Sequence, residues 1–368
     1  MWEKSQVSGS MCHLGSGFKG GLRKGSLHDP EWRSQVYSRV PLLAPPKPKR
    51  PHPPHRPPPP PPPARPIVAP PMDAKNVLLI VADDMRPDLP MYGNSIVHAP
   101  NLQRIADRGV TFNQAHIQIS YCCPSRNSFM SGRRPDTSQV WTFETTWREA
   151  GTTADQRARV RNFTDLPQWF KQNGWWTTNT GKTWHNSVGY NPDDDWSDLA
   201  EFPSVFAWPG VYYDVNNTDV SVQRIHHAAS LRQPFLVAHG FIKPHLPWDY
   251  PPELKAKYYG AYTNGSRTVP PATNPTYPTG TSPVGFHQCA EMPVESLEVP
   301  FPPAKVSALR LEYFATISYV DQQIGRLLDA LEETGVANRT AVLFLGALLS
   351  PMVLLMVLML VLLGDRGY

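Results

Sequence analysis

A stretch of backbone that lacks hydrogen-bond donors divides this chain. Residues 41 to 72 run through PPKPKRPHPPHRPPPPPPPARP. Each proline fixes φ and removes an N–H, so neither helix nor sheet ladder can form there, and solvated polyproline II is expected. Residues 1 to 40 are rich in Gly, Ser and Lys/Arg and carry no sustained periodicity. Any globular domain must therefore lie beyond the prolines. The charge divides at the same place. Residues 1 to 75 hold 12 Lys/Arg against 4 Asp/Glu, and the remainder holds 23 against 27. The basic excess belongs to the arm, and a nucleic-acid-binding body loses its electrostatic footing. The arm, 1 to 75, reads as disordered: a linker, or a set of PxxP ligands for an SH3 or WW partner.

Order is expected from Asn76, where Asn76-Val77-Leu78-Leu79-Ile80-Val81 is a continuous apolar run ending in Ala82-Asp83-Asp84. Such a run reads as a strand buried on both faces of an α/β sheet. Pro100 to Val110 reads as a short helix with Leu102, Ile105 and Ala106 on one face and Gly109 near its end. Leu166 to Asn173 repeats that pattern, closed by Gly174 and followed by strand-like Trp175 to Thr178. Pro234 to Ala238 is another buried strand, and 260 to 303, dense in Pro, Thr and Gly, an irregular excursion. From Lys305 to Glu333 apolar residues recur at helical spacing until Gly335. Alternating strands and helices predict an α/β layered domain over 76 to 345.

Two chemical constellations stand out. Asp83 and Asp84 close a buried strand, where ligands of α/β sheets bind, and paired carboxylates suit a hard divalent cation. Taken alone, such a pair is more often a solvated strand end. Tyr121-Cys122-Cys123-Pro124-Ser125-Arg126 then runs to Ser131-Gly132-Arg133. A nucleophile just before Pro at a helix start sits in the helix's positive field, suited to an anionic substrate. The bland alternative is a buried cysteine pair before an ordinary helix. The four cysteines, Cys12, Cys122, Cys123 and Cys289, are too scattered for a disulfide scaffold or a zinc ribbon.

The second constellation resembles the signature of the type I sulfatases, in which a cysteine becomes formylglycine. The resemblance implies an alkaline-phosphatase-like α/β fold with a mostly parallel central sheet flanked by helices. By it, Cys122 is the modified residue, Cys123 the variable position, Arg126 the arginine that holds the formylglycine, and Asp83, Asp84 and Cys122 calcium ligands. Gly174 to His185 resembles the family's second signature, which implies that Lys182 and His185 contact nucleophile and sulfate. Lys243-Pro244-His245-Leu246-Pro247 resembles a segment of the iduronate-2-sulfatase branch and makes His245 a sulfate ligand; Ser131 to Thr137 favours the same branch. The resemblance covers about Asn76 to Leu345 and implies hydrolysis of a sulfated sugar, with calcium as cofactor, on a secretory or lysosomal route.

The pattern departs after the long helix. Family members have a strand ending in Ser-Asp-His-Gly, whose Asp completes the calcium site; here the expected strand Thr340 to Leu345 runs into Gly346-Ala347-Leu348-Leu349. The catalytic domain is therefore expected to be incomplete and its calcium weakly held, unless Asp193, Asp194 or Asp195 takes the vacant place. Residues 346 to 368 read as an apolar tail, with 347 to 363 either a membrane-spanning helix or a buried segment. The sequence also starts without the apolar run of a signal peptide. Two rival readings follow: a catalytically impaired, membrane-attached sulfatase-like protein, or a phosphate or phosphonate monoesterase of the same fold.

Residues 1 to 72 offer almost no apolar surface to offset ordering entropy. Deleting them should leave the melting temperature of the body unchanged in a calorimetric scan. A fall of several degrees would show that the arm packs against it.

Overall fold

Strand β1, Asn76–Ala82, is buried along nearly its whole length, and its two-residue period sends alternate side chains into separate cores. Leu78, Ile80 and Ala82 join one hydrophobic cluster, Leu79 and Val81 another. A sheet covered on both faces is the arrangement that accommodates such a run. The computed structural model describes residues 75–142, 163–185, 195–198, 213–271 and 301–346, and the backbone alone of 355–363. The described elements are β1, α1 (Pro100–Arg108), β2 (Val110–His116), α2 (Cys122–Ser131), α3 (Pro135–Ser138), α4 (Leu166–Gln172), β3 (Trp176–Gly181), α5 (Tyr213–Ser230), β4 (Phe235–Phe241), α6 (Pro252–Thr263), α7 (Pro303–Glu333), β5 (Thr340–Gly346) and β6 (Leu355–Leu363).

The six strands lie in the order β2-β6-β5-β1-β4-β3. Pairs β1–β4, β1–β5 and β3–β4 are parallel, and β5–β6 and β2–β6 antiparallel. Helices α1, α5, α6 and α7 cover one face, supplying Leu102, Ile225, Tyr259, Phe314 and Ile324 to the first cluster. Residues of α2 and α4 pack on the other, where Cys123, Met130 and Trp184 meet β1 and β4. The expected α/β class, with a mostly parallel sheet between helical layers, is what the chain forms.

Helix α7 is 31 residues long and bounded by Pro302 and a left-handed Gly335 with φ 69°, close to the expected span. It also completes α1. No side chain of α1's own N-cap bonds the free N–H groups there; instead Asp321 of α7 accepts from Asn101 N at 3.1 Å and Leu102 N at 2.7 Å. The cap that sequence rules place next to a helix start here comes from a residue 220 positions away.

Several expectations are corrected. α1 ends at Arg108, and Val110 opens an unforeseen strand, β2, whose residues are mostly exposed. Helix α5 was not foreseen because three of its five buried positions, Asp214, Thr218 and Ser221, are polar. Helix α6 occupies 260 to 263 of the expected irregular stretch, of which 272 to 300 lies outside the described residues, as do most of the arm and the residues 186 to 194 that include Asp193 and Asp194. Of the stretch 347 to 363, expected as a spanning helix or a buried segment, 347 to 354 lies outside the described residues and Leu355–Leu363 is strand β6, paired to β5 and β2 on its two sides. Among the described residues no helix is long and apolar enough to cross a membrane. An apolar run alone does not separate helix from strand; here two flanking strands take up its backbone groups.

Burial raises the Asp321 carboxyl to about 6 against the bonds it accepts. Between pH 4 and 6 the folded chain therefore holds a proton that the unfolded chain has released, so this group's contribution to stability falls as pH rises through that window. Its full amplitude is on the order of 3 kcal/mol. Urea unfolding should show a shallower decline over pH 4 to 6 in Asp321→Asn than in the parent; parallel curves would refute the assignment.

Candidate active site

Parallel strands bring their carboxyl ends to one edge of the sheet. Register pairs Ala82 with Phe241 and Gly181 with Gly240, so the loops leaving β1, β3 and β4 start side by side. The glycine pair permits a close approach: a Cβ on Gly240 would lie 2.0 Å from the Lys182 carbonyl carbon, and one on Gly181 2.1 Å from the Gly240 oxygen. Lys182 N donates to Gly240 O at 2.7 Å across this gap, which draws the Lys182 loop against β4.

Asp83, the first residue beyond β1, is wholly buried. Arg126 Nη2 donates to its Oδ1 at 2.7 Å and Lys182 Nζ to its Oδ2 at 2.5 Å. Arg126 is equally buried, and its Nη1 donates to the carbonyl oxygens of Lys182 and, at 3.0 Å, Thr183. One guanidinium from α2 thus joins the loop after β1 to the loop after β3. Burial alone would raise the Asp83 carboxyl, but Lys182, Arg126 and His245 outweigh it and hold it far below the ordinary carboxylate range. Burial would likewise lower Lys182, and the Asp83 charge reverses the sign, so the ammonium is raised.

Cys122 begins α2, its Sγ 3.8 and 4.0 Å from the two Asp83 oxygens. Burial and then the Asp83 charge push this thiol well above its ordinary value, an environment opposed to a thiolate nucleophile. Cys123 points elsewhere, into the core beside Met130. His245 completes the cluster: ligand atoms of Asp83, Cys122 and His245 all lie within 4.8 Å of one another, and His245 Nε2 is 3.7 Å from Asp84 Oδ2. The His245 Nδ1–H donates to Leu246 O at 2.7 Å, which fixes the ring with Nε2 toward Asp84.

The donor set fits a hard divalent cation. Each Asp83 oxygen keeps a further lone pair beyond its present bond, Asp84 lies beside it, and an oxygen in place of the Cys122 sulfur would add a third ligand of the preferred kind.

The expected residues Asp83, Asp84, Cys122, Arg126, Lys182 and His245 therefore meet at one edge of the sheet. His185, half-buried, lies three residues after Lys182 and is not among the three clustered residues Asp83, Cys122 and His245. Asp195 is buried elsewhere in the fold, where its carbonyl accepts from Thr177 Oγ1 at 2.9 Å. Two supporting residues escaped the sequence reading. Tyr313 of α7 donates its hydroxyl to Asp84 O at 2.7 Å and accepts from Arg86 N at 2.8 Å; these bonds brace a turn in which Asp84 holds a left-handed φ of 57°. Asp214 accepts from Ile242 N at 3.0 Å and Lys243 N at 2.9 Å. Neither lies in a motif, and a tyrosine in an apolar helix stripe reads as core.

Comparison with known proteins agrees with this geometry. Residues 75–346 match the family described as Sulfatase. Human iduronate 2-sulfatase is 33% identical over 312 residues, covering 74% of this chain and 54% of that protein. The mouse iduronate 2-sulfatase is 30% identical over 317 residues, with the same shares. The chain thus spans about half the length of these relatives. A solved structure in complex with its substrate D-glucosamine-2-N,6-O-disulfate superposes with a TM-score of 0.58 at 18% identity, over 79% of this chain and 71% of that one, a likeness of fold.

Asp83→Asn would remove the carboxylate to which both Arg126 and Lys182 donate, and breaking a buried pair in this way typically costs about 3–5 kcal/mol. Urea unfolding at neutral pH measures the loss, and a cost below about 1 kcal/mol would show that the pairings do not hold the site together.

Proposed function

The chain belongs to the sulfatase family, and from that premise we propose that its site is built to hydrolyse a sulfate ester of a sugar, as in the iduronate 2-sulfatase branch. The observation that carries the reading is the convergence of Cys122, Asp83 and His245 within 4.8 Å at the sheet edge. Conversion of Cys122 to formylglycine would supply a hydrated aldehyde whose hydroxyl is the nucleophile toward sulfur. Calcium held by Asp83, Asp84 and position 122 would supply positive charge against the sulfate oxygens.

The chain's own residues have separable tasks in this reading. Arg126, with no exposed surface, fixes the Asp83 carboxylate and the backbone of Lys182 and Thr183, so the cluster is preorganised before substrate arrives. Lys182 carries an ammonium, raised by Asp83, at the point where sulfuryl oxygens would gather. His245, its Nδ1 proton engaged by Leu246 O, keeps Nε2 for the sulfate or for proton transfer to the departing sugar oxygen. His185 serves as a second contact to the sulfate. Burial of Asp83, Arg126 and Lys182 strengthens each of these interactions relative to water. The Lys243-Pro244-His245 segment and the 33% identity favour the iduronate 2-sulfatase branch. A secretory or lysosomal route is consistent with the aldehyde chemistry that the reading requires.

Position 347 tempers the rate. By family resemblance an aspartate ligand belongs there, and this chain has alanine. Losing one preorganised electrostatic contact costs on the order of 3 kcal/mol, about a hundredfold in rate. Produced together with a formylglycine-generating enzyme, the chain should yield a Cys122 peptide lighter by the thiol-to-aldehyde change, with Cys123 still a thiol, in peptide mass spectrometry. Release of sulfate from 4-nitrocatechol sulfate should be near background and rise about a hundredfold when Gly346→Ser, Ala347→Asp, Leu348→His and Leu349→Gly are introduced together. Modification at Cys123, or none at either cysteine, would overturn the reading.

A further inference from the structure

Asp214 is a carboxylate without solvent, 1% exposed in the first turn of α5. Burial drives its carboxyl up to about 6 in spite of two accepted N–H bonds, so the fold keeps an acid where a neutral acceptor would cost less. What it holds is specific. Its two oxygens take consecutive backbone donors, Ile242 N and Lys243 N, at the point where the chain leaves β4. The Ile242 carbonyl in turn accepts from His245 N at 3.1 Å. The peptide that Asp214 grips on one side therefore sets the position of the His245 backbone on the other.

The far side of this turn is tied as well. Lys243 Nζ donates to His245 O at 3.4 Å and to Pro247 O, and lies 3.6 Å from Asp249 Oδ2. The ring of His245 is then oriented by Leu246 O. Between Asp214 and the Nε2 that faces Asp84 no link is a long free side chain: two backbone bonds, one tight turn and one ring contact carry the position through. We infer that Asp214 is a positioning residue for His245, acting through the Ile242–Lys243 peptide to hold the imidazole over the Asp83–Cys122 pair. Its place in catalysis rests on the sulfatase reading above; its hold on His245 does not.

The test compares Asp214→Asn, which keeps the shape and removes the two-oxygen acceptor, with Ile225→Val, a buried apolar change on the same helix outside the site. Carbethoxylation of histidines by diethyl pyrocarbonate, followed by mass spectrometry on the full chain, reads ring accessibility. In Asp214→Asn, His245 should be labelled several-fold faster while the fully buried His239 of β4 keeps its parental rate; Ile225→Val should change His245 little. Equal rates at His245 in parent and Asp214→Asn, or a joint rise at His239 and His245, would overturn the proposal, the second because it marks general loosening. Should Asp214→Asn fail to fold, amide exchange in the parent decides: Ile242 and Lys243 should exchange far more slowly than Trp248 to Tyr250, and equal rates refute the clamp. Turnover of 4-nitrocatechol sulfate is scored separately in the form carrying Ser-Asp-His-Gly at 346 to 349. There Asp214→Asn should lower kcat/KM about tenfold, and add nothing once His245→Ala is present, since residues acting through one group do not add. Additive losses would refute the route through His245, whereas a parent without turnover would defeat the sulfatase reading and leave the labelling result standing.

Discussion

Asp83 ends a strand with no solvent on either face, and a carboxylate in that position must be neutralised by side chains that can reach it. Arg126 and Lys182 do so from two other elements, one oxygen each. Because a broken pair leaves a buried charge, the three residues fix one another, and with them the start of α2, the end of β1 and the end of β3. Cys122 is carried into place by the same construction, one helical turn before Arg126. The site depends on this knot more than on any loop of its own.

The knot in turn depends on the sheet. Only parallel neighbours in register put the carboxyl ends of β1, β4 and β3 together, and these three are contiguous on one side of the strand order. Gly181 and Gly240 remove the side chains that would keep the Lys182 loop away from β4. Helices from one face then brace the loops from behind: Tyr313 of α7 at the Asp84 turn and Asp214 of α5 at the turn before His245. Residues that make contact with the cluster come from strand ends and from α2; residues that hold them come from the opposite helical layer.

That division explains what the sequence could and could not yield. β1 and α7 were legible because burial on both faces and a sustained helical period leave plain apolar patterns. The residues that meet at the sheet edge could be named from the sequence because short-range motifs carry them: Cys122 with Arg126, Lys182 after the Gly174 strand, Lys243 with His245. Asp321, Tyr313 and Asp214 were not, since each acts on a partner at least 28 positions away, and nothing in the local pattern separates them from ordinary helix residues. α5 was missed for a related reason: Asp214, Thr218 and Ser221 stand at the helical spacing where apolar residues are sought. β6 failed in the opposite way, because nine residues without a polar side chain fit a helix or a strand equally until a neighbouring strand is known.

Strands β5 and β6 lie in the other half of the sheet, with β5 paired to β1. Register pairs Ala82 with Gly346, so the end of β5 lies beside the residue that precedes Asp83. Arg126 and Lys182 both donate to Asp83, one to each oxygen, while Asp84 Oδ2 faces His245 Nε2 at 3.7 Å. A cation binding at Asp83 must compete with the ammonium and the guanidinium that the same carboxylate already holds, so the buried pairs that fix the site also set what an incoming ion has to displace.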